Sequence, residues 1–167
     1  MTVPVLGLSV AKLIQSAIED DPDLMSLLTG GVYTRPIARD MSPDPLDPTQ
    51  GATPDAFDTF GRIKPCISIR HETEEANTQG PPGGMWTFPM LFCRTQPKDS
   101  EKAKLEQIFI LIRRALHKKH IAMPTGTGGT MRVAGRMGPI DDIAIQGAVV
   151  MSVQLQIDGV WEVLPNE

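Results

Sequence analysis

Between Ile143 and Ile157 every odd position is apolar or glycine, namely Ile143, Ile145, Gly147, Val149, Met151, Val153, Leu155 and Ile157. The even positions carry Gln146, Ser152, Gln154 and Gln156. Successive side chains of a strand point to opposite faces, so this alternation predicts a strand with one face buried and one polar. Its length, at about 3.4 Å per residue, comes to roughly 50 Å, far beyond the common five or six residues. The chain must therefore build a sheet, and so long a strand is expected to reach past its own sheet at one end.

Other segments supply partners for that strand. Val10, Leu13, Ile14, Ala17 and Ile18 recur at helical spacing and predict a helix over residues 8–19. Asp21-Pro22 matches an N-cap followed by proline at the first helical position, and the short helix it opens ends before Thr29-Gly30-Gly31. Val32-Tyr33-Thr34 reads as a brief strand halted by Pro36. Ile63, Pro65, Ile67 and Ile69 alternate with Lys64, Cys66, Ser68 and Arg70 as a half-buried strand. In the run Met85 to Arg94, Trp86, Phe88, Met90 and Phe92 share a face, and Pro89 makes that strand an edge or a bulged one. These two strands pair through a long hairpin loop at 72–84. A long helix runs from Asp99-Ser100 to about His120, with Leu105, Ile108, Phe109, Ile112 and Leu116 as its apolar stripe. Met131, Val133 and Gly135 alternate with Arg132, Ala134 and Arg136 in a further strand.

The fold class expected is α+β: a mainly antiparallel sheet flanked by an N-terminal helix and one long helix. A chain of 167 residues is sized for a single domain, residues 1–167. Its 15 glycines and 15 prolines exceed what that core requires and concentrate in connections. The longest connection is residues 38–61, where Pro43, Pro45, Pro48 and Pro54 interrupt a stretch bearing Asp40, Asp44, Asp47, Asp55 and Asp58. Loops of that length are functional, disordered or ordered against a partner, and docking on a neighbouring subunit stands beside a plain flexible insertion.

Several function classes are disfavoured. No apolar run reaches the ~18 residues of a membrane span, and Met1 to Val10 lacks a signal-peptide pattern. Cys66 and Cys93 lie in strand-like runs away from metal-ligand spacing and read as buried thiols. A net charge of −4 lacks the footprint of a sequence-reading DNA binder. Nucleophile-elbow, zinc-helix and phosphate-loop signatures are missing, and Gly126-Thr127-Gly128-Gly129 reads as a turn because no lysine follows it at the required place. His117 and His120 are three residues apart near a helix end, the minimum geometry for two metal ligands, but cationic residues answering the helix dipole explain them more simply. Glu72, Glu74 and Glu75 offer an acid and a base, with a solvated polar loop as the simpler account. No catalytic residue, metal or cofactor is assigned.

Charge is unevenly distributed. Residues 1–97 hold 7 basic and 12 acidic side chains, whereas 98–167 hold 9 and 8. Lys102, Lys104, Arg113, Arg114, Lys118 and Lys119 give the long helix and its end a basic character against Glu106. A solvated, dipole-matched face is the simpler account of this, and the acidic loop of a neighbouring subunit, residues 40–58, is the first partner to test.

The order of elements resembles the small tail-completion, or tail-terminator, proteins of long-tailed bacteriophages. The matching stretches are Gly31-Val32-Tyr33-Thr34-Arg35-Pro36-Ile37, Lys64-Pro65-Cys66-Ile67-Ser68-Ile69-Arg70-His71-Glu72, the strand Met85 to Arg94, Arg114-Ala115-Leu116 closing the helix, and the long terminal strand. The resemblance implies a non-enzymatic virion protein of the tail or neck, assembled in the host cytoplasm. It implies a homo-hexameric ring that caps the head-proximal end of the tail tube. Its partners would be the tail tube protein and the head-tail connector or stopper, with DNA only as passing cargo and no membrane. A head-completion or minor capsid neck protein is the alternative within that class. A small metal-dependent or acid/base enzyme using His71, His117, His120 and Glu72 to Glu75 is the alternative outside it. Candidate interface residues are Ile110, Arg113 and Arg114 on the helix, Asp44 and Asp47 in the long loop, and Trp86 if its strand is an edge.

Overall fold

The alternating terminal run supplies the strand at the middle of the sheet. The computed structural model describes residues 6–37, 56–76, 84–121 and 129–161. Along them run α1 (Leu6–Glu19), α2 (Pro22–Leu27), β1 (Gly31–Tyr33), β2 (Cys66–Ala76), β3 (Gly84–Thr95), α3 (Asp99–Leu116), β4 (His120–Ile121), β5 (Gly129–Asp141) and β6 (Val149–Trp161). The strands form one sheet in the order β1-β2-β3-β6-β5-β4. β1 runs parallel to β2, and every other neighbouring pair is antiparallel. This is the α+β arrangement expected from the sequence, a mixed sheet with its helices on one face.

The helical stripes explain that placement. Val10, Ala11, Ile14 and Ile18 of α1 and Leu105, Ile108, Ile112 and Leu116 of α3 share one core with Ile67, Ile69, Leu91, Cys93, Met151, Val153 and Leu155. Each fully buried branched side chain contributes about 1.5–3 kcal/mol, so this layer dominates stability. Asp21 caps α2 as its sequence predicts, accepting from the amides of Asp23 and Leu24. Gly30 lies where a Cβ would stand 2.9 Å from the carbonyl oxygen of Pro65, so only glycine lets the chain pass β2 this closely.

A second, smaller cluster gathers Tyr33, Ile37, Ala56, Ile63, Cys66, Ile145 and Ala148. Cys66 precedes Ile67 in β2 and points the other way, so this cluster closes one end of the face away from the helices.

Several expectations are corrected. Residues 143–148 do not continue the terminal strand. They form a turn in which the amide of Asp142 donates to Ala148 O at 3.0 Å, the amide of Ala144 donates to Asp142 Oδ1 at 2.9 Å, and Gly147 adopts φ +80°. Ile145 and Ala148 are buried there while Ile143 and Gly147 are exposed, so the odd positions before Val149 share no face and the alternation is structural only within β6. Nor does β6 project beyond the sheet. It is paired with β3 from Thr95↔Val149 to Gly84↔Trp161 and with β5 from Asp141↔Val149 to Thr130↔Asp158.

The hairpin loop placed at 72–84 is shorter, because β2 continues through Glu72, Glu74 and Glu75 to Ala76 and β3 begins at Gly84. β3 is not an edge but lies between β2 and β6, and Trp86 pairs with Glu75. One-residue register shifts between His71 and Glu74, and between Met85 and Thr87, accommodate the region around Pro89. The long helix ends at Leu116 rather than near His120, and Lys118 at φ 64° turns the chain into β4. Of the loop at 38–61, residues 56–61 are described: Phe57 bridges to Ile63, and the amide of Lys64 donates to Ala56 O at 2.8 Å.

Candidate interaction surfaces

The outer side of α3 is built from residues the core stripe leaves over. Ile110 is 63% exposed, as its position on the far side of the helix from the stripe requires, while Phe109 and Leu111 are half-buried flanks of the core. Phe109, Ile110, Arg113, Arg114 and His117 line an open groove of about 330 Å³.

The two arginines of that groove differ. Nη2 of Arg114 contacts Asp21 Oδ1 and Oδ2 at 3.0 Å each and Asp23 Oδ2 at 2.9 Å. Arg114 therefore clamps α3 to the N-terminus of α2 within its own chain. Asp21 is held below the usual carboxylate range: partial desolvation works against the shift, but the Arg114 hydrogen bond and the Leu24 and Asp23 amides outweigh it. Arg113 is exposed and has no ion pair among the described residues.

His117 has a structural task. Its Nδ1 accepts the Val133 amide at 3.2 Å, satisfying a donor that β4 is too short to reach. His120 belongs to β4. Among the described residues no three His, Cys, Asp or Glu side chains converge on a common point. The side chains of His71, Glu72, Glu74, Glu75 and Trp86 lie outside the described residues, as do Asp44 and Asp47 altogether.

The second surface is the sheet face opposite the helices, and sequence reasoning missed it. In β3 it is Leu91 and Cys93 that face the helices, so Phe88, Met90 and Phe92 belong to the helix-free face. β5 adds to that face through register shifts between Val133 and Gly135 and between Met137 and Ile140. The first shift turns Arg136 away from the face shared by Arg132 and toward the helices. There its guanidinium lies 4.8 Å from the Phe109 ring and 2.6 Å from Glu106 Oε2. Met137 and Ile140, 69% and 53% exposed, are left on the helix-free side opposite Ser152 and Val150. Met90, Gly135, Arg136, Met137, Ser152 and Gln154 line a shallow depression of about 260 Å³ there. The available signal was glycine and proline inside a strand pattern, Gly135 and Gly138-Pro139, which mark bulges. Gly138 has φ +95°, and a Cβ on it would stand 2.7 Å from Val150 O.

Arg94 joins this face to the turn after β5. Its Nε lies 2.6 Å from Asp142 Oδ2, with both side chains nearly buried, and its Nη1 donates to Ser68 Oγ at 2.7 Å. Arg94 and Arg70 both lie over the Phe92 ring, at 5.5 and 5.7 Å. Neither cysteine is poised for chemistry: burial pushes the Cys66 thiol up to about 12 and raises that of Cys93 as well. They sit on opposite faces as unpaired thiols.

Among the described residues no helix is long and apolar enough to cross a membrane. No protein-family model matches this chain, and no curated protein sequence matches it.

Proposed function

We propose that this chain is a structural subunit of a long-tailed bacteriophage, a tail terminator with a tail-terminator-like fold. Six copies form a ring that caps the head-proximal end of the tail tube and joins it to the head connector. The reading is non-catalytic, with DNA passing through the ring rather than being read.

The observation that carries it is the presence of uncovered apolar side chains on opposite sides of one thin domain. Ile110 stands on the outer side of α3, and Met137 and Ile140 stand on the helix-free sheet face. Closed rings are built from heterologous contacts, in which one surface meets a different surface of the next copy, so a protomer requires two distinct patches facing apart. The resemblance in element order to tail-terminator proteins supports the particular assembly.

Light scattering and negative-stain microscopy of the purified chain, alone and with tail tubes, test the proposal. Rings seated on one end of each tube are expected. A strict monomer at high concentration that leaves tube ends bare would count decisively against it.

A further inference from the structure

We propose that the groove on the outer side of α3 receives the acidic, proline-rich segment of a second copy of this chain, with Leu46 entering beside Ile110 and with Asp44 and Asp47 meeting Arg113. The inference rests on the ring assembly proposed above and specifies one of its junctions.

The groove has two properties that define its occupant. Ile110 and Arg113 stand at i and i+3 on α3, with His117 capping its end, so an apolar contact is followed by a cation along one line of the helix. The Arg114 guanidinium is already engaged by Asp21 and Asp23, which leaves Arg113 as the groove's uncommitted cation among the described residues. An extended peptide that carries an apolar side chain between two carboxylates complements this pattern.

Asp44-Pro45-Leu46-Asp47 is such a peptide. Between Ala38 and Asp55 the chain carries Asp40, Asp44, Asp47 and Asp55 against Arg39. Pro43, Pro45 and Pro48 fix their own φ and bias the residues before them to extended conformations, which lowers the entropy lost on docking.

The fold also indicates which copy's segment is used. The segment is bounded by Ile37 and Ala56, both buried in the smaller cluster with Cys66 and Tyr33. That cluster lies on the sheet face away from the helices, whereas the groove is on the outer side of α3. A segment that leaves and returns on one face, and a complementary groove beyond the other, make a head-to-tail pair.

Sedimentation velocity on the full chain tests this. Arg113→Glu alone, and Asp44→Arg with Asp47→Arg, are each expected to raise the concentration for half-assembly at least tenfold without changing thermal unfolding. Restoring opposite signs by combining all three substitutions in one chain is expected to recover assembly. Mixing the Arg113→Glu protein with the Asp44→Arg/Asp47→Arg protein is expected to give mixed assemblies of alternating copies, because each segment then meets a groove of opposite sign on the other protein. If the parent assembles and both charge-reversed proteins assemble as it does, the junction is wrong while the ring stands. If the parent is monomeric throughout, the ring and its junction fall together. Recovery by the combined chain with no mixed assembly on mixing would place the segment on its own α3 and overturn the inter-copy contact.

Discussion

The two faces of the sheet are built by different means. On the helix-bearing face Ile14, Ile18, Leu105, Ile108, Ile112 and Leu116 have no exposed surface, and β6 contributes Met151, Val153 and Leu155 to the same layer. On the other face the smaller cluster and the turn at 142–148 close one end, and beyond them Met137 and Ile140 stay open to solvent. The first face is self-sufficient, and the second is pinned in place by a few polar contacts centred on Arg94. The buried layer that supplies stability and the apolar side chains the sheet leaves in solvent thus lie on opposite sides of one sheet, so Met137 and Ile140 can be changed without repacking the core.

The sharpest way to break this division is to damage the covered face. Ile112→Ala should cost about 2–5 kcal/mol, since the site is enclosed on all sides and cannot collapse fully. Urea denaturation measures it, and a loss below about 1 kcal/mol would mean that the helix layer is not the dominant source of stability.

The pin on the other face comes next. Asp142→Ala leaves the Arg94 guanidinium nearly buried without its carboxylate, a change that costs about 3–5 kcal/mol in a fully enclosed pair. Here Arg94 keeps Ser68 and Phe92, so roughly 2 kcal/mol is expected. The loss should be accompanied by faster amide exchange at Ala144, whose amide donates to the lost carboxylate, and at position 142, whose amide donates to Ala148 O in the same turn.

A smaller effect belongs to the α2 cap. Asp21→Ala removes the N-cap and the Arg114 contact together and should cost about 1 kcal/mol. Because the folded state holds Asp21 below its ordinary value, its contribution is complete above the unfolded carboxylate pKa near ~4 and disappears as pH falls through the lower folded value. The stability difference between parent and variant should therefore shrink as pH falls below about 4, and a difference that does not change with acidification would assign the effect to something other than the carboxylate.

The smallest effect is expected on the open face. Met137→Ser should change stability by no more than about 0.5 kcal/mol, because the side chain is already largely in solvent. In the ring assembly it should nevertheless weaken self-association, and equal stability with unchanged association would remove Met137 from any interface.

Much of the architecture was legible in the sequence. The stripe of α3, the Asp21-Pro22 start of α2, the short β1 and the exposure of Ile110 follow from local periodicity and capping chemistry, which involve residues close in the chain. The open face was not legible, because alternation says that a strand has two faces and never which one meets the helices. Trp86, Phe88, Met90 and Phe92 are the larger side chains of β3, yet Leu91 and Cys93 enter the main core, since the register with Ile67 and Ile69 puts them there. Likewise no local rule reveals that Ile143 and Ile145 belong to a turn, because Ile145 is apolar for the sake of a cluster assembled from Tyr33, Ile63 and Cys66.

Arg114 and Arg113 put the same limit in two adjacent residues. By itself the sequence determined that both are cations near the end of an amphipathic helix, where they answer its dipole. The packing of α3 beside α2 settled that Arg114 reaches across the surface to Asp21 and Asp23, some ninety positions earlier, while Arg113 meets no carboxylate among the described residues. Helical periodicity fixes the angle of a side chain about its own axis. What stands at that angle is fixed by the packing of elements distant in the chain.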